Sequence, residues 1–185
     1  MIFKNHNNLE GTHAPFSASK SSWLRYSDEK IIEVRDNIKA KELGTRLHAW
    51  AAETIKLGIK MPRTKKTINS YINDAIGFNM TPEVVLYYSP YFYGTVDTIY
   101  YSEKTKVLRI HDLKTGIIKA HMDQLVVYAA LFCLEYKIDP RSLSKIYLAI
   151  YQCDEIVPYE PTGEDILEVM NLIIHFDNIL REDEN

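Results

Sequence analysis

Between Gly94 and Tyr128 the chain reads GTVDTIYYSEKTKVLRIHDLKTGIIKAHMDQLVVY, a pattern of strand, polar turn, strand and helix that admits few folds. Val107 to Leu113 has the bulky apolar content of a strand, and Glu103 to Thr105 supplies the turn that joins it to the strand carrying Asp97. Side chains alternate faces along a strand, so Asp112 and Lys114 point the same way, while Leu113 points into the core and His111 lies opposite to Asp112. Gln124 and Tyr128 fall four apart on the following helix and share one of its faces. Two carboxylates and an ammonium therefore gather at one end of a small sheet.

That set has a chemical use. Two carboxylates held close together repel unless a cation sits between them. Hard oxygen ligands suit Mg²⁺ or Mn²⁺, ions that activate water and stabilise charge developing on a phosphodiester. A lysine beside them can orient or help deprotonate the water, or neutralise the phosphate. A D-x-K on a strand is most often a solvated face, so further residues must decide.

Ahead of this stretch, Ser17, Ser19, Ser21 and Ser22 precede Trp23 and Leu24, a cap-like run that marks a helix start, with Asp28–Arg35 as a short continuation. Lys39 to Leu57 is a stronger helix, with Leu43, Leu47, Trp50 and Thr54 at helical spacing and Gly58 as its stop. Gly44 within it suggests close approach of another backbone. Another helix spans Thr67 to Phe78, and Thr81-Pro82 breaks the chain before strands over Glu83–Tyr88, Gly94–Tyr101 and Lys106–Leu113. A largely apolar helix over Met122–Tyr136, strands over Lys145–Tyr151 and Ile156–Tyr159, and an amphipathic helix complete the pattern. The order implies an α/β fold with a mixed central sheet and helices on both faces. The whole of 1–185 reads as one domain, with a loose arm over 1–15 and a closing helix over 163–181.

Charge is uneven. From Asp154 to Asn185 ten acids stand against Arg181, a balance of -9, which leaves +6 for Met1–Cys153 out of the net -3. Lys56 to Lys66 (KLGIKMPRTKK) carries five positives and no acid, so Lys60, Arg63, Lys65 and Lys66 are candidates for binding a polyanion that the last segment would repel. Lys119 is a further candidate phosphate contact. Cys133 and Cys153 sit in apolar contexts without CxxC spacing and read as core residues of a reducing compartment, the cytoplasm. No apolar run reaches the length of a membrane span.

Taken together, four pieces resemble the PD-(D/E)XK nuclease superfamily, and within it the RecB-like, phage-type exonuclease group. They are the G-x-x-x-H of ELGTRLH (Gly44, His48), GTVD (Asp97), IHDLKTG (Asp112, Lys114) and Q-x-x-x-Y (Gln124, Tyr128). The resemblance covers roughly Phe16 to Ile150, and the serine-rich FSASKSSWLRY looks like the start of phage-encoded members. It implies that Asp97, Asp112, His48 and the backbone carbonyl of Leu113 hold one or two Mg²⁺ or Mn²⁺ ions, the imidazole favouring acceptance of Mn²⁺. Lys114 would be the catalytic lysine, with Gln124 and Tyr128 orienting it or touching the scissile phosphate. Glu42 is a weaker candidate carboxylate. The four cysteines of the iron–sulfur members are missing, so no such cluster is expected, and no phosphate-loop motif accompanies the domain. DNA is the implied partner, with a recombination or single-strand-binding protein as a second, no membrane, and an oligomer left open. A structure-specific endonuclease (junction resolvase or nickase) and a catalytically weak DNA-binding subunit are the competing readings. RNA is not excluded by any residue.

Overall fold

In the computed structural model, which describes residues 14–183 together with Asn7, a five-stranded sheet runs in the order β1 (Thr81–Ser89), β2 (Phe92–Ser102), β3 (Val107–Lys114), β4 (Lys145–Gln152), β5 (Glu155–Tyr159). The arm expected over 1–15 lies outside the described residues, apart from Asn7, Ala14 and Pro15. β1–β2, β2–β3 and β4–β5 pair antiparallel, whereas β3 and β4 are parallel, from Val107↔Lys145 to Lys114↔Gln152. Parallel neighbours need a crossover, and helix α3 (Asp123–Glu135) supplies it. The sheet is mixed, as the element order implied.

Each face of the sheet has its own core. Leu108, Ile110, Leu148 and Ile150 meet Leu125 and Ala129 of α3 and Ile166 of α4 (Gly163–Asp183). On the opposite face Leu113, Ala149 and Tyr151 pack with Ala51 and Ile55 of α1 (Asp28–Lys56) and with Tyr71, Ile72 and Ala75 of α2 (Thr67–Gly77). Because β3 and β4 are covered on both sides, they are buried almost continuously along their length.

The chain divides into two compact units, 1–45 and 46–185, with the boundary inside α1. In the first unit the serine-rich run does not start the α-helix. It forms a 3-10 segment, Ala18–Arg25, kinked at Lys20, with Trp23 Nε1 donating to Ser17 O at 2.9 Å. The α-helix begins at Asp28, where the Ser27 hydroxyl accepts from the Lys30 N–H at 3.2 Å, so Ser27 is the cap. The two helical stretches expected over Asp28–Arg35 and Lys39–Leu57 are one helix. Gly44 is buried.

In the second unit α1 ends as foreseen at Gly58. With φ +66°, Gly58 lets its own N–H reach Ile55 O and the Ile59 N–H reach Thr54 O, the paired bonds of a Schellman stop. The buried face of α1 is rotated from the expected stripe: of that stripe Thr54 is buried, but Trp50 is exposed, and Ala51 and Ile55 complete the buried face instead. Thr81-Pro82 does not break the chain but lies inside β1. β1 is an edge strand, so one side needs no ladder donor and a residue lacking an N–H is tolerated there. Cys133 is buried as expected. Cys153 is exposed, because it and Asp154 form the two-residue β4–β5 turn, both at positive φ (50° and 61°), as a type I′ hairpin requires. Among the described residues no helix is long and apolar enough to cross a membrane.

His111 faces the α2 side, as the alternation predicts, and is fully buried among Phe78, Tyr147 and Tyr151. Tyr151 gives its one hydroxyl proton to Asp74 at 2.7 Å, so at the 3.3 Å contact with His111 Nδ1 the imidazole must donate. That leaves Nε2 as an acceptor without a partner. Burial, reinforced by Arg109, lowers the His111 pKa to about 3. The unfolded imidazole takes up its proton near pH 6.5 and the folded one only near 3. Between those values the unfolded state holds the extra proton, and stability drains away as pH falls, by up to about 1.4 kcal/mol per pH unit. Denaturant titrations across that window are expected to show a shallower loss for His111→Phe than for the wild type. Parallel curves would mean that His111 is not neutral in the native state.

Candidate active site

The site forms where the β2–β3 ladder stops. Its last rungs pair Ile99↔Ile110 and Thr98↔His111, and beyond them the Asp97 carboxylate accepts the Leu113 N–H through Oδ2 at 2.8 Å. Val96 and Ile99, three residues apart, both enter the α3-side core, so the alternation slips by one around Asp97. Directly across on β1, between the pairs Pro82↔Thr98 and Val84↔Val96, Glu83 takes φ +55°, a left-handed conformation costly for a residue with a side chain.

His48 reaches this point from α1. It shares a helix face with Ala51 and Ile55, which are 1% and 6% exposed, and that packing turns the imidazole toward the sheet. His48 Nδ1 lies 3.3 Å from Asp97 Oδ1. Hydrogen bonding to Asp97 raises the His48 pKa above its ordinary value against the opposing effect of burial, with smaller support from Asp112 and Glu83. Ligand atoms of His48, Glu83 and Asp97 all lie within 4.8 Å of one another.

Asp112 is the deeper acid, 2% exposed. Burial first and the charge of Asp97 second raise its pKa, and Lys114 opposes both. The Lys114 ammonium sits 3.1 Å from each Asp112 oxygen but is aligned to hydrogen-bond only Oδ1, which leaves Oδ2 buried without a hydrogen bond. The same ammonium donates to Gln124 Oε1 at 2.7 Å, Gln124 Nε2 donates to Tyr128 Oη at 3.2 Å, and Tyr128 donates to Thr95 O at 2.7 Å. The Tyr128 ring lies flush on Gly94, where a Cβ would come within 3.0 Å of its ring carbon. The glycine of GTVD thus makes room for the tyrosine that ends the chain of hydrogen bonds.

The imidazole of His48 and the carboxylates of Glu83 and Asp97 form a donor set that fits a hard divalent cation, and the buried Asp112 oxygen without a hydrogen bond is a further candidate ligand. His48, Asp97, Asp112 and Glu83 are the residues that would hold it. Sequence reasoning missed Glu83. The available signal was a carboxylate at the first residue of the strand expected over Glu83–Tyr88. Leu113 touches the site through its N–H, the group bonded to Asp97.

None of the other candidates belongs to this cluster. Lys60, Arg63, Lys65 and Lys66 are exposed on the α1–α2 loop, whose backbone is clamped by Asn69 and Asn73 of α2. Lys60 and Arg63 line a pocket of about 420 Å³ with Ser70, Asn73 and Asp74, and none of His48, Glu83, Asp97 and Asp112 lines it. Asp154, the first acid of the C-terminal segment, bonds Thr67 right beside Lys66. Lys119 is exposed on the β3–α3 loop, and Glu42 is exposed in the first unit. Compared with protein-family models, characterised proteins and solved structures, the chain matches none of them.

Metal binding here is open to a direct measurement. Mn²⁺ at about a hundred times its dissociation constant stabilises a folded protein by about 2.7 kcal/mol. Thermal denaturation of the wild type is expected to show that gain, Asp97→Ala to lose it and Glu83→Gln to weaken it. Without added metal, Asp112→Asn should melt at or above the wild-type temperature, since burial and Asp97 both penalise its charge. A wild type indifferent to Mn²⁺ would remove the cation from this site.

Proposed function

We propose that the chain is a metal-dependent nuclease that hydrolyses phosphodiester bonds in DNA, of the PD-(D/E)XK kind and the RecB-like, phage-type exonuclease group its motifs resemble. The observation that carries the reading is the holding of Lys114 between Asp112 and Gln124 beside the His48–Glu83–Asp97 cluster. A surface D-x-K pair has no need of a relay that runs through Gln124 and Tyr128 to a backbone carbonyl.

In this reading His48, Glu83, Asp97 and Asp112 hold Mg²⁺ or Mn²⁺. Such an ion, when bound, lowers the pKa of water and offsets charge on the phosphoryl oxygens. Lys114 contributes a fixed positive charge. Its ammonium has three protons, of which Asp112 and Gln124 take two, and the third is left for a water or a phosphoryl oxygen. Gln124 and Tyr128 keep that ammonium from swinging away, so its orientation exists before substrate arrives. The basic α1–α2 loop and Lys119 add sequence-independent attraction for the phosphate backbone.

Incubation with Mn²⁺ and either linear or covalently closed circular DNA tests the reading. Digestion of the linear form alone is the expected exonuclease result. Nicking of the circle points to the endonuclease reading, and binding without cleavage to the subunit reading. Lys114→Ala is expected to lower the single-turnover rate by about 10²-fold or more while Mn²⁺ affinity holds. A parallel fall in metal affinity, measured by calorimetry, would assign Lys114 to holding the site together instead.

Neutralising Lys60, Arg63, Lys65 and Lys66 together should weaken DNA binding and flatten its salt dependence by up to about three units of slope. The rate at saturating DNA should change little, because these contacts serve ground and transition states alike. An unchanged slope would send the DNA along another face.

A further inference from the structure

Gln152 is 9% exposed at the end of β4, and its amide spends both N–H groups and its carbonyl on one loop. Its Nε2 donates to Gly116 O at 2.6 Å and to Ile118 O at 2.7 Å, and its Oε1 accepts from the Ala120 N–H at 3.0 Å. The loop, 115–122, joins Lys114 at the end of β3 to α3. It has little else to hold it. Residues 115–119 are exposed, Ile117 and Ile118 included, so no apolar packing anchors this part. Among the described residues the only other hydrogen bond to its backbone between 116 and 121 is a long one from Cys153 Sγ to Gly116 O at 3.8 Å. α3 in turn starts without a side-chain cap, since Met122 stands at the N-cap position. Gln124, the residue that grips the Lys114 ammonium, lies in that uncapped first turn.

We propose that Gln152 is a positioning residue for the reaction: by ordering the loop that enters α3, it keeps Gln124 against Lys114 and so fixes where the third ammonium proton points. This rests on the nuclease reading above. Register supplies the geometry. Gln152 is the parallel partner of Lys114, and the loop it holds leaves from that lysine and returns to it through Gln124. Helix ends fray where their N–H groups lack partners, and a first turn entered from a loose loop would let the amide drift from the ammonium. A displacement of about 1 Å at a group that orients a reacting atom can lower a rate by about 10²-fold. Glutamine is the side chain this task requires, with two donors for two carbonyls and an acceptor for an N–H in one planar group. A glutamate in its place would set a carboxylate oxygen against the Gly116 and Ile118 carbonyls.

The test uses the full chain carrying Gln152→Met, which keeps the length of the side chain and removes every hydrogen bond it makes to the loop. The two carbonyls it frees belong to exposed residues and can accept from water, so the fold should persist, and thermal denaturation checks that. Hydrogen–deuterium exchange should show the Ala120 amide losing its protection while β3 keeps its own. On linear DNA in Mn²⁺ kcat should fall about tenfold or more, with KM and the calorimetric Mn²⁺ affinity within about twofold of the wild type. Made on top of Lys114→Ala, the same substitution should change the rate by less than about twofold, because its effect passes through the lysine. Gln152→Asn, a methylene shorter and unable to reach all three partners, takes the place of the methionine variant should that one not fold. An unchanged kcat, or an Ala120 amide still protected, overturns the proposal and leaves the nuclease reading in place. So does an equal loss of rate in the Lys114→Ala background, which makes Gln152 a support of the sheet as a whole. A fall in Mn²⁺ affinity overturns it too, by moving the effect to the metal ligands. A wild type that cuts no DNA overturns both proposals.

Discussion

The bond from the Leu113 N–H to Asp97 Oδ2 stands at the point on which the site depends. The β2–β3 ladder ends one pair earlier, at Thr98↔His111, and a buried N–H left without an acceptor would be costly. A side chain takes over the acceptor role that a strand carbonyl would otherwise fill. Because Asp97 spends one oxygen there, its other oxygen is held toward His48, and the geometry of the imidazole follows from α1 packing through Ala51 and Ile55. The strained Glu83 lies across the same irregularity on β1. One interruption of a sheet therefore orients an acid and sets a second acid opposite it, beside the histidine that α1 packing supplies.

Adjacent residues of β3 show two treatments of a buried polar group. His111, facing α2, is kept neutral by an aromatic surround, and Tyr151 and Asp74 satisfy its donor. Asp112, facing the other way, is given a lysine and a glutamine-anchored relay instead. Removing a charge from water is repaid only when every lone pair finds a partner, and at Asp112 one does not. Asp177, paired with Arg181 on α4, likewise keeps one buried oxygen without a hydrogen bond, so what distinguishes Asp112 is its place beside Asp97 and His48.

Much of this was legible from residue spacing. The period of two assigns Asp112, Lys114 and His111 to their faces, and the four-residue spacing brings Gln124 and Tyr128 together, because both patterns are local. What escaped is what depends on tertiary packing. Glu83 opens the strand expected over Glu83–Tyr88, but it sits at a positive φ behind a proline, where strand alternation gives no guidance to its direction. The helical stripe through Leu43 and Trp50 satisfied the same period as the true buried face through Ala51 and Ile55, and small alanines carry little hydrophobic signal even when they let a helix approach a sheet closely. The serine run had the composition of a cap, but Ser27 made the capping bond. Gln152 ends an otherwise apolar strand, and its importance appears only once the parallel register sets it beside Lys114.

That register also explains why the catalytic candidates fall so close together in sequence. A parallel β3–β4 pair obliges the chain to leave the end of β3 and return over the sheet, so the β3–α3 loop and the start of α3 must stand above the carboxyl ends of these strands. Lys114 is the last residue of β3, and Gln124 lies in the first turn of α3, so the crossover itself brings ammonium and amide within 2.7 Å. Tyr128, one turn further, then reaches back to the β2 strand at Thr95, two residues before Asp97. The chain of hydrogen bonds thus closes from one carboxylate strand to the other through the helix, without a contribution from any distant part of the sequence. The helix that the topology demands is the same helix that holds the lysine, which couples the orientation of the site to the stability of the α3-side core.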